Sequence, residues 1–414
     1  MQQKIELLAP VGSFESLHAA IQGGANAVYF GVEQLNMRAK SINSFALEDL
    51  PRIKAICAGQ GVKTYITLNT VMYEHDMQLL KTIVKKVKAT GIDAVIAADF
   101  AVMEYCKQLK MPLHISTQAN VSNIESVRFF SAFADTIVLA RELTLKQVKQ
   151  ITDEITRKKI KGVSGELMQI EIFIHGALCM AISGKCYLSL HAQNSSANRG
   201  ACNQNCRHAY KVTDLETNEE LVVDNEYIMS PKDLCTIDIL DQVIQSGATI
   251  LKIEGRGKGP EYVYTVTKAY REAVESVQNG TYNREKIEEW KEELSKVYNR
   301  GFWEGYYLGR KLGEWTPDPG SAATEKKVYI GKGKNYYSKI RVGEFVVESG
   351  QLKAGDTVLI SSPDFGILKE KVDRLVVNGL DAETAAKGDL LTIPCERKIS
   401  AKDKLYKIVQ TSHA

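Results

Sequence analysis

Long apolar runs and a strong charge of either sign are both missing from this sequence. No stretch of about 18 uncharged apolar residues occurs, so neither a membrane-spanning helix nor a membrane partner is expected. The first residues, MQQKIELLAPVGSFESLH, lack the basic-then-apolar layout of a secretion signal, which predicts a cytoplasmic protein. The formal net charge is +3, from 53 basic and 50 acidic residues, so any nucleic-acid partner has to be argued from local features.

Several catalytic signatures are missing as well. The sequence contains no GxxxxGK[ST] loop, no HExxH motif and no convincing dinucleotide-binding fingerprint. The stretch GRGKGPEY (255–262) is rich in glycine, but its glycines do not have the spacing of a phosphate loop. No Ser/His/Asp or Cys/His nucleophile arrangement follows from residue spacing. Hydrolysis by a known nucleophile or zincin motif is therefore not indicated.

Eight short apolar runs are present, and they alternate with amphipathic stretches. Near-continuous apolar runs are typical of parallel strands that helices cover on both faces. Eightfold strand-helix alternation predicts a (β/α)8 barrel of the TIM type over residues 1–315. The predicted strands are IELLA (5–9), AVYFG (27–31), VKTYITLN (62–69), AVIAAD (94–99), LHIST (113–117), TIVLA (136–140), IEIFIHG (170–176) and TILKIEG (249–255).

The regular spacing of the strands is interrupted once, and it ends before the C-terminus. Residues 177–248 form an insertion before the eighth strand that is too long for one loop and one helix. Two helices are predicted within 261–298, and the Pro-, Gly- and Ser-containing stretch 316–325 predicts a linker. From 326 to 414 short alternating strands with turns between them predict a small antiparallel β-barrel without major helices.

Most of the cysteines cluster in the insertion. Cytoplasmic thiols stay reduced, so this density indicates a metal or redox site. Structural zinc usually uses paired C-x2-4-C motifs, and the irregular spacing here favours an iron-sulfur cluster, with zinc as the alternative. Cys57, Cys106 and Cys395 are isolated and are expected to be buried core thiols. The clustered cysteines are Cys179, Cys186, Cys202, Cys206 and Cys235, one more than a four-coordinate site needs.

Polar residues follow the predicted strands at their carboxyl ends, where active sites of this fold gather. Lys252, Glu254 and Arg256 alternate along the last strand, so they are expected on one face in the barrel mouth. A structural ion pair between Lys252 and Glu254 is the alternative. Arginines here could clamp carboxylates or phosphates, with solvated surface arginine as the alternative. Further candidates at strand ends are Arg38, Asn69, Asp99, His114, Gln118, Arg141, Glu142 and His175, of which His114 has a core histidine as its alternative.

Three motifs resemble the signature of the collagenase-like peptidase family, a family of unknown catalytic type. They are IEIFIHGALCMAISGKCYLS (170–189), NRGACNQNCR (198–207) and LKIEGRGKGPEYV (251–263). With LLAPVGSFESLHAAIQGGANAVYFGVEQLNMRA (7–39) and the C-terminal domain, the resemblance covers essentially the whole chain. Length and domain order are similar to the branch of prephenate-dependent tRNA uridine hydroxylases. That branch converts the wobble uridine to 5-hydroxyuridine.

The resemblance implies a set of cofactors, partners and site residues. A 4Fe-4S cluster is implied on Cys179, Cys186, Cys202 and Cys235, with Cys206 as the alternative fourth ligand. The implied partners are the anticodon loop of a tRNA and the small dicarboxylate prephenate, and no DNA partner is expected. Cationic side chains would bind the dicarboxylate, and Glu254 or His175 would handle protons. The cationic candidates are Arg38, Arg141, Lys252 and Arg256.

Other functions remain open at this point. The family name suggests a peptidase. Other members of the family suggest hydroxylation of a ribosomal RNA cytidine or of a quinone precursor. A non-enzymatic RNA binder or cluster carrier would use the C-terminal domain for docking. In that domain KNYYSKIR (334–341) interleaves basic and aromatic residues, as an RNA-facing surface does, and a solvated strand face accounts for it equally well.

Overall fold

The computed structural model describes residues 4–37, 44–208, 210, 212–213, 215–218, 220–221, 229–310, 313–317 and 320–412. In its first part, seven parallel strands alternate with six helices. The strands are β1 (Glu6–Pro10), β2 (Ala27–Phe30), β3 (Lys63–Leu68), β4 (Ala94–Ala97), β5 (Leu113–Ile115), β6 (Thr136–Val138) and β7 (Gln169–Gly176). The helices are α1 (Phe14–Gln22), α2 (Leu50–Ala58), α3 (Met77–Thr90), α4 (Phe100–Gln108), α5 (Ile124–Phe130) and α6 (Leu145–Lys158).

Local sequence accounts for where these helices begin and which side they bury. In α6, Thr144 accepts a hydrogen bond from the backbone N–H of Gln147, whose side chain accepts one from the N–H of Thr144. This capping box satisfies two backbone donors that the first turn leaves unpaired. The buried residues of α6 recur every three or four positions, which places them on one face toward the strands. They are Leu145, Val148, Ile151 and Ile155.

The eighth barrel strand follows the insertion, as the sequence predicts. β11 pairs in parallel with both β1 and β7, so the eight strands close. Two long helices come next, which confirms the prediction for 261–298. The elements after β7 are α7 (Leu188–Gln193), β8 (Val212–Thr213), β9 (Glu220–Leu221), β10 (Asp233–Cys235), α8 (Leu240–Gln245), β11 (Ile250–Ile253), α9 (Pro260–Gln278), α10 (Arg284–Ser295) and β12 (Phe302–Trp303).

The insertion also adds strands to the barrel sheet, which the sequence pattern did not predict. β10 runs antiparallel to the end of β7, with Leu234 opposite Gly176 and Cys235 opposite His175. β12 then pairs with β10 in parallel. Consequently the end of β7 contacts β11 on one edge and β10 on the other. This pairing places Cys235 of β10 beside His175 of β7.

Two separate apolar layers hold the barrel together. The larger layer fills the space between strands and helices, and it includes Cys57 and Cys106 as buried thiols, which confirms that prediction. The smaller layer lies inside the barrel and includes Leu8, Tyr29 and Tyr65. Among the described helices, none is both long and apolar enough to cross a bilayer.

The C-terminal part is built from antiparallel strands, as predicted, but the pairings among the described residues form sheets without the closure of the predicted β-barrel. Eight strands pair in the order β17-β16-β22-β13-β14-β21-β18-β19, and β15 pairs with β20. Their core includes Ile330, Phe345, Leu405 and the buried thiol Cys395. The strands are β13 (Glu325–Tyr337), β14 (Val342–Val347), β15 (Gln351–Lys353), β16 (Thr357–Ser362), β17 (Gly366–Lys371), β18 (Val376–Val377), β19 (Leu380–Asp381), β20 (Thr384–Ala386), β21 (Leu390–Pro394) and β22 (Lys404–Gln410).

This β-unit packs on the outside of the barrel against α1. The side-chain amide of Gln22 donates to the carbonyl of Ile367 and accepts from its N–H, both at 3.1 Å. A Cβ atom at Gly366 would lie 2.8 Å from the backbone nitrogen of Ala19, so only glycine allows this approach. Lys327 adds an ion pair of 2.7 Å to Glu261 in the first turn of α9.

Candidate functional site

The carboxyl ends of the barrel strands open into a cavity of about 210 Å³. Its walls come from the strand ends and from the cysteine-bearing insertion. This is the end of the barrel at which the sequence places the candidate site. Asn69, Gln118, Arg141, Lys252, Glu254 and Arg256 line the cavity, as do Cys179, Cys202 and Cys206. Glu142 is an exposed residue outside this lining, and Arg38 lies outside the described residues.

A buried ion pair forms the floor of the cavity. Lys252 Nζ lies 2.6 Å from Glu171 Oε1, with 5% of the lysine side chain and none of the glutamate side chain exposed. Although burial raises it, Lys252 and His114 hold the pKa of Glu171 below its ordinary value, so the carboxylate is charged. Lys252 therefore pairs with Glu171, and the alternative pair with Glu254 is wrong. Glu171 was missed, although an acid inside the apolar run IEIFIHG was a usable signal.

His114 packs beside this pair in the barrel interior. Its ring centroid is 4.4 Å from that of Tyr65, and its Nδ1 lies 3.4 Å from Glu171 Oε2 without the alignment of a hydrogen bond. Tyr65 donates to Glu6 at 2.7 Å. His114 is buried among the strands, so the structure favours the core-histidine interpretation over direct ligand contact.

Two arginines face the same cavity and are held in place by different contacts. The Nη1 of Arg256 donates to the Thr67 hydroxyl at 2.5 Å and to the Asn36 side-chain oxygen at 3.2 Å. The guanidinium of Arg141 stacks 3.7 Å from the ring centroid of Phe173 and donates to the Ala177 carbonyl at 2.9 Å. The Nε of Arg141 is buried and has no hydrogen-bond partner among the described residues. Arg141 as a whole is half-buried and lines the cavity, so the open part of its guanidinium, and not the enclosed Nε, faces an anionic ligand there.

A second cavity of about 330 Å³ adjoins the first. The two share Glu254, Cys202 and Arg300 in their walls. In the second cavity Lys258 Nζ lies 3.0 Å from the ring centroid of Tyr298, and Arg300 lies 5.0 Å from it. Cations outnumber acids around the combined space, which suits an anionic ligand. The lining cations are Arg141, Arg207, Lys252, Arg256, Lys258 and Arg300, against the lining acid Glu254.

His175 lies outside both cavities, contrary to the predicted proton-transfer role. Its Nδ1 is 3.4 Å from the Tyr270 hydroxyl, and its ring packs against Phe302 and Tyr262. Complete burial lowers the pKa of His175 to about 3, with Glu254 opposing the shift. The physical cause is a bulge: the pairing of β7 with β11 slips by one residue between Phe173 and His175. His175 consequently points away from the face that carries Glu171 and Phe173.

The structure groups four of the five clustered thiols and separates the fifth. Burial raises the pKa of Cys206, Arg207 lowers it, and the nearby Cys179, Cys202 and Cys186 raise it further. These four cysteines are half-buried or exposed.

Cys235 is fully enclosed elsewhere. Its Sγ lies 3.7 Å from the Tyr270 hydroxyl, and burial raises its pKa to about 11. The predicted ligand set contained Cys235 with Cys206 as the alternative. Cys179, Cys202 and Cys206 line one cavity, and Cys186 is near enough to raise the pKa of Cys206, whereas Cys235 lines neither cavity.

The clustered thiols are candidate ligands for the two metal sites that the sequence allows, an iron-sulfur cluster and zinc. All eight cysteines are described, and none of them forms a disulfide. Among the described residues, no three His, Cys, Asp or Glu side chains are close enough to hold a single metal ion. An iron-sulfur cluster needs its four thiolates farther apart than one zinc ion does, because each binds a different iron atom. Cysteine thiolates are ligands of iron-sulfur clusters and of structural zinc alike, so the residues present fit either group.

Arg199 holds the insertion onto the barrel mouth, and Arg207 ties the two ends of the insertion together. Arg199 Nη1 pairs with Asp76 Oδ2 at 2.5 Å and donates to the Val71 carbonyl at 2.7 Å. Arg207 donates to the carbonyls of Leu178 and Pro231, each at 2.7 Å. Sequence reasoning missed both arginines. Their position beside Cys202 and Cys206 in NRGACNQNCR was the available signal.

The stretch KNYYSKIR lies on the β13–β14 hairpin, where acids accompany most of its cations. Lys334 lies 3.8 Å from Glu344, and Arg341 lies 2.9 Å from Glu396. The Tyr337 hydroxyl also donates to Glu344, at 3.2 Å. Local neutralisation of this kind weakens attraction for a phosphate backbone, so the structure favours a solvated strand face.

Comparison with known proteins assigns the chain to a family. The model of peptidase family U32 matches residues 12–317. A Porphyromonas gingivalis W83 protein named collagenase is 51% identical over 97% of both chains. The Bacillus subtilis 168 protein named tRNA hydroxylation protein P1 is 33% identical over 74% of this chain and 72% of its own. An Escherichia coli K12 protein named as a 23S rRNA 5-hydroxycytidine synthase is 35% identical over 66% of this chain and 40% of its own. The chain therefore belongs to peptidase family U32.

Proposed function

We propose that this protein is an RNA-modifying enzyme that hydroxylates the wobble uridine of tRNA at C5. The observation that carries the proposal is the position of four thiols beside a cation-lined cavity at the carboxyl end of the barrel. Relatives named for tRNA hydroxylation and for 5-hydroxycytidine synthesis in 23S rRNA support the same class of chemistry. Their names give different RNAs, tRNA and 23S rRNA, and we choose the tRNA uridine on the similarity in length and domain order.

Cys179, Cys186, Cys202 and Cys206 are the proposed ligands of a 4Fe-4S cluster. When bound, such a cluster supplies one-electron transfer at a potential that nearby charges and hydrogen bonds adjust. Arg207 is the cation next to this set, and its contacts to Leu178 and Pro231 hold the two ends of the insertion together. The proposed role of Arg207 is to keep Cys179 and Cys206 close to each other.

The cavity floor is the proposed site for the dicarboxylate prephenate. Replacing a C–H bond of the base by C–OH removes two electrons from the base and adds one oxygen atom, so the proposal assigns to prephenate both the donation of that oxygen atom and the acceptance of the two electrons. Arg141, Lys252 and Arg256 all line this cavity. Charge-assisted hydrogen bonds to carboxylates are among the strong ones. These three cations would orient the metabolite beneath the base.

Glu254 is the proposed proton acceptor. It lines both cavities, so its carboxylate can reach a base entering from either one. Hydroxylation at C5 releases the proton originally on that carbon, and a positioned carboxylate can take it. His175 is excluded from this role because it is enclosed between β7 and α9. Tyr29 and Phe173 also line the cavity, and their rings exclude water from its inner end.

A complementation experiment tests the proposal. A strain lacking this gene and close paralogues is given the wild type, Glu254→Gln, Arg141→Met or Lys146→Met, and its tRNA nucleosides are measured by mass spectrometry. Lys146 lies exposed on α6, so Lys146→Met controls for loss of a cation elsewhere. We expect 5-hydroxyuridine to return with the wild type and the control, and to fall at least about tenfold with the two cavity variants. Unchanged 5-hydroxyuridine in the deletion strain would contradict the proposal.

Peptide hydrolysis is the second candidate, and the name collagenase of the 51% identical relative favours it. The same purified wild type and Cys179→Ala protein are incubated with gelatin. Cleavage by both proteins, with tRNA nucleosides unchanged in the deletion strain, would place hydrolysis ahead of hydroxylation. Absence of cleavage by either protein agrees with the hydroxylase proposal.

A further inference from the structure

Three aromatic side chains at the carboxyl end of the barrel are at least half exposed. Tyr73 is 51% exposed, Phe100 is 64% exposed and Tyr187 is 74% exposed. Large aromatic surfaces in water are costly, so a group of them at one end of a protein marks an interaction site. None of the three takes part in the cavity lining described above. We name these three residues the aromatic rim.

Neighbouring loops carry the aromatic rim and are joined by hydrogen bonds. Tyr73 lies between β3 and α3, and Phe100 is the first residue of α4. The N–H of Met72 donates to Asp99 Oδ2 at 2.9 Å, which ties these two loops together. Asp99 also caps α4 by accepting from the N–H of Ala101. The predicted site residue Asp99 thus positions the loops and does not line the cavity.

The insertion brings Tyr187 to the same end of the barrel. It is attached at two points on either side of Tyr187. Before it, the Ser183 carbonyl accepts from Asn120 at 3.5 Å. After it, the guanidinium of Arg199 stacks 4.3 Å from the Tyr73 ring. Tyr187 therefore lies in a segment that spans from the loop after β5 to the loop after β3.

The chemistry of the surroundings selects the kind of partner. Unpaired RNA is recognised by stacking its bases on aromatic side chains while cations follow the phosphates. Among the described residues, the cavities at this end of the barrel are lined by six cations and one acid. Lys252 and Arg300 are paired with the buried acids Glu171 and Asp233, and the charge of the other four cations complements a polyanion. A neutral polypeptide would gain from the aromatic rings but not from this charge. The observations thus favour single-stranded RNA over an unfolded protein chain.

We propose that the aromatic rim stacks the unpaired nucleotides that flank the target base, and so holds a single-stranded loop of RNA over the cavity. This inference rests on the proposed RNA-modifying function and adds the surface that recognises the strand. Stacking is indifferent to base identity, because every base has an aromatic face. The aromatic rim would therefore select for unpaired structure, while the cavity selects the base.

Binding measurements with the full-length protein test the inference. The probes are a short fluorescein-labelled RNA strand, the same strand annealed to its complement, and a labelled gelatin peptide, each followed by fluorescence anisotropy. We expect Phe100→Leu and Tyr187→Leu to weaken single-strand binding by about 5- to 100-fold each, the range for loss of one stacked base. Phe100→Trp should bind as well as the wild type, because it keeps a stacking ring.

Phe129→Leu is the matched control. Phe129 is 56% exposed, but it lies near the C-terminal end of α5 and hence at the opposite end of the barrel. Its substitution should leave single-strand affinity unchanged.

Three outcomes would overturn the inference. Equal single-strand affinity in the wild type and both leucine variants would show that RNA is held elsewhere, while restored 5-hydroxyuridine in cells would leave the proposed function standing. Equal losses for single strand and duplex would rule out stacking of unpaired bases. Losses confined to the gelatin peptide would assign the aromatic rim to a protein partner. If wild-type protein neither binds RNA nor restores the nucleoside, the proposed function itself fails.

Discussion

The end of β7 separates two regions that both contain titratable side chains. On one side these side chains are charged or partly exposed, and on the other they are buried and neutral. On the cavity side, Glu171 and Lys252 are charged and paired, and thiols such as Cys206 lie partly open. On the helix side, His175 and Cys235 are enclosed with Tyr270 beneath α9. Burial disfavours the charged form of each of these two groups.

Titratable residues that can take part in chemistry and titratable residues that serve packing lie on opposite sides of β7. A residue on the helix side gains stability by staying neutral, so it has little capacity to bind a metal or exchange protons. A residue on the cavity side keeps its charge because a partner or solvent compensates it. The side of the sheet on which a residue lies therefore predicts its role better than its chemical type does.

The largest expected effect concerns the two cysteines that distinguish these regions. Anaerobically purified wild-type protein is expected to hold about four irons and four sulfides per chain. Cys206→Ser should lose most of both, because Cys206 lies among the other three thiols. Cys235→Ser should retain them, because its side chain is enclosed on the other side of the sheet. Iron, sulfide and zinc analysis with an optical spectrum measures the difference.

The reverse result would break the comparison. Iron lost from Cys235→Ser and kept in Cys206→Ser would restore the set containing Cys179, Cys186, Cys202 and Cys235. Zinc without sulfide in the wild type would replace the cluster by a single-ion site. Circular dichroism of both serine variants controls for unfolding, which would release metal regardless of the ligand set.

The next effect concerns the buried pair on the cavity side. Lys252→Met leaves the charge of Glu171 buried without its partner, and breaking such a pair costs roughly 3–5 kcal/mol of unfolding free energy. Adding Glu171→Leu in the double variant should recover most of that loss, because no unpaired charge remains. Urea unfolding followed by circular dichroism measures both changes.

An exposed pair of the same type provides the control for this prediction. Lys149 lies 2.9 Å from Asp153 on the solvent side of α6, and Lys149→Met should leave the unfolding midpoint nearly unchanged. A double variant as unstable as Lys252→Met alone would mean that packing of the lysine chain, and not the charge of Glu171, sets the cost.

Sequence patterns were sufficient for the barrel and for the end at which its site lies. Continuous apolar runs identify the parallel strands, and a closed barrel brings their carboxyl ends together. The partner of Lys252 was also within reach, since closure places the eighth strand beside the seventh, where Glu171 interrupts an apolar run. Proximity in the sequence favoured Glu254 as the partner instead, but Glu254 lies just beyond the carboxyl end of β11.

Two features depended on contacts that spacing does not encode. The bulge at the end of β7 turns His175 to the helix side, and an alternating pattern gives no sign of one extra residue. The choice between Cys206 and Cys235 depends on β10 pairing antiparallel to β7, which follows from the fold of a long insertion. Both wrong predictions, for His175 and for Cys235, concern positions where strand pairing between distant segments overrides the local sequence pattern.

The smallest expected effect is a pH dependence arising from the helix side. His175 has a folded-state pKa of about 3, against about 6.5 in an unfolded chain. Between these values the unfolded state binds a proton that the folded state does not. The contribution of neutral His175 to stability is therefore complete above about pH 6.5, and it declines by about 1.4 kcal/mol for each pH unit below that.

Comparison of the wild type with His175→Gln isolates this contribution. Glutamine does not titrate, so the variant should lose stability less steeply than the wild type as the pH falls from 7 to 5. The free energy of unfolding is measured at each pH and referred to the value of the same protein at pH 8, which removes the packing cost of the substitution. Parallel curves for the two proteins would mean that His175 accepts a proton in the folded state, and the helix side would then be a solvent-accessible environment like the cavity.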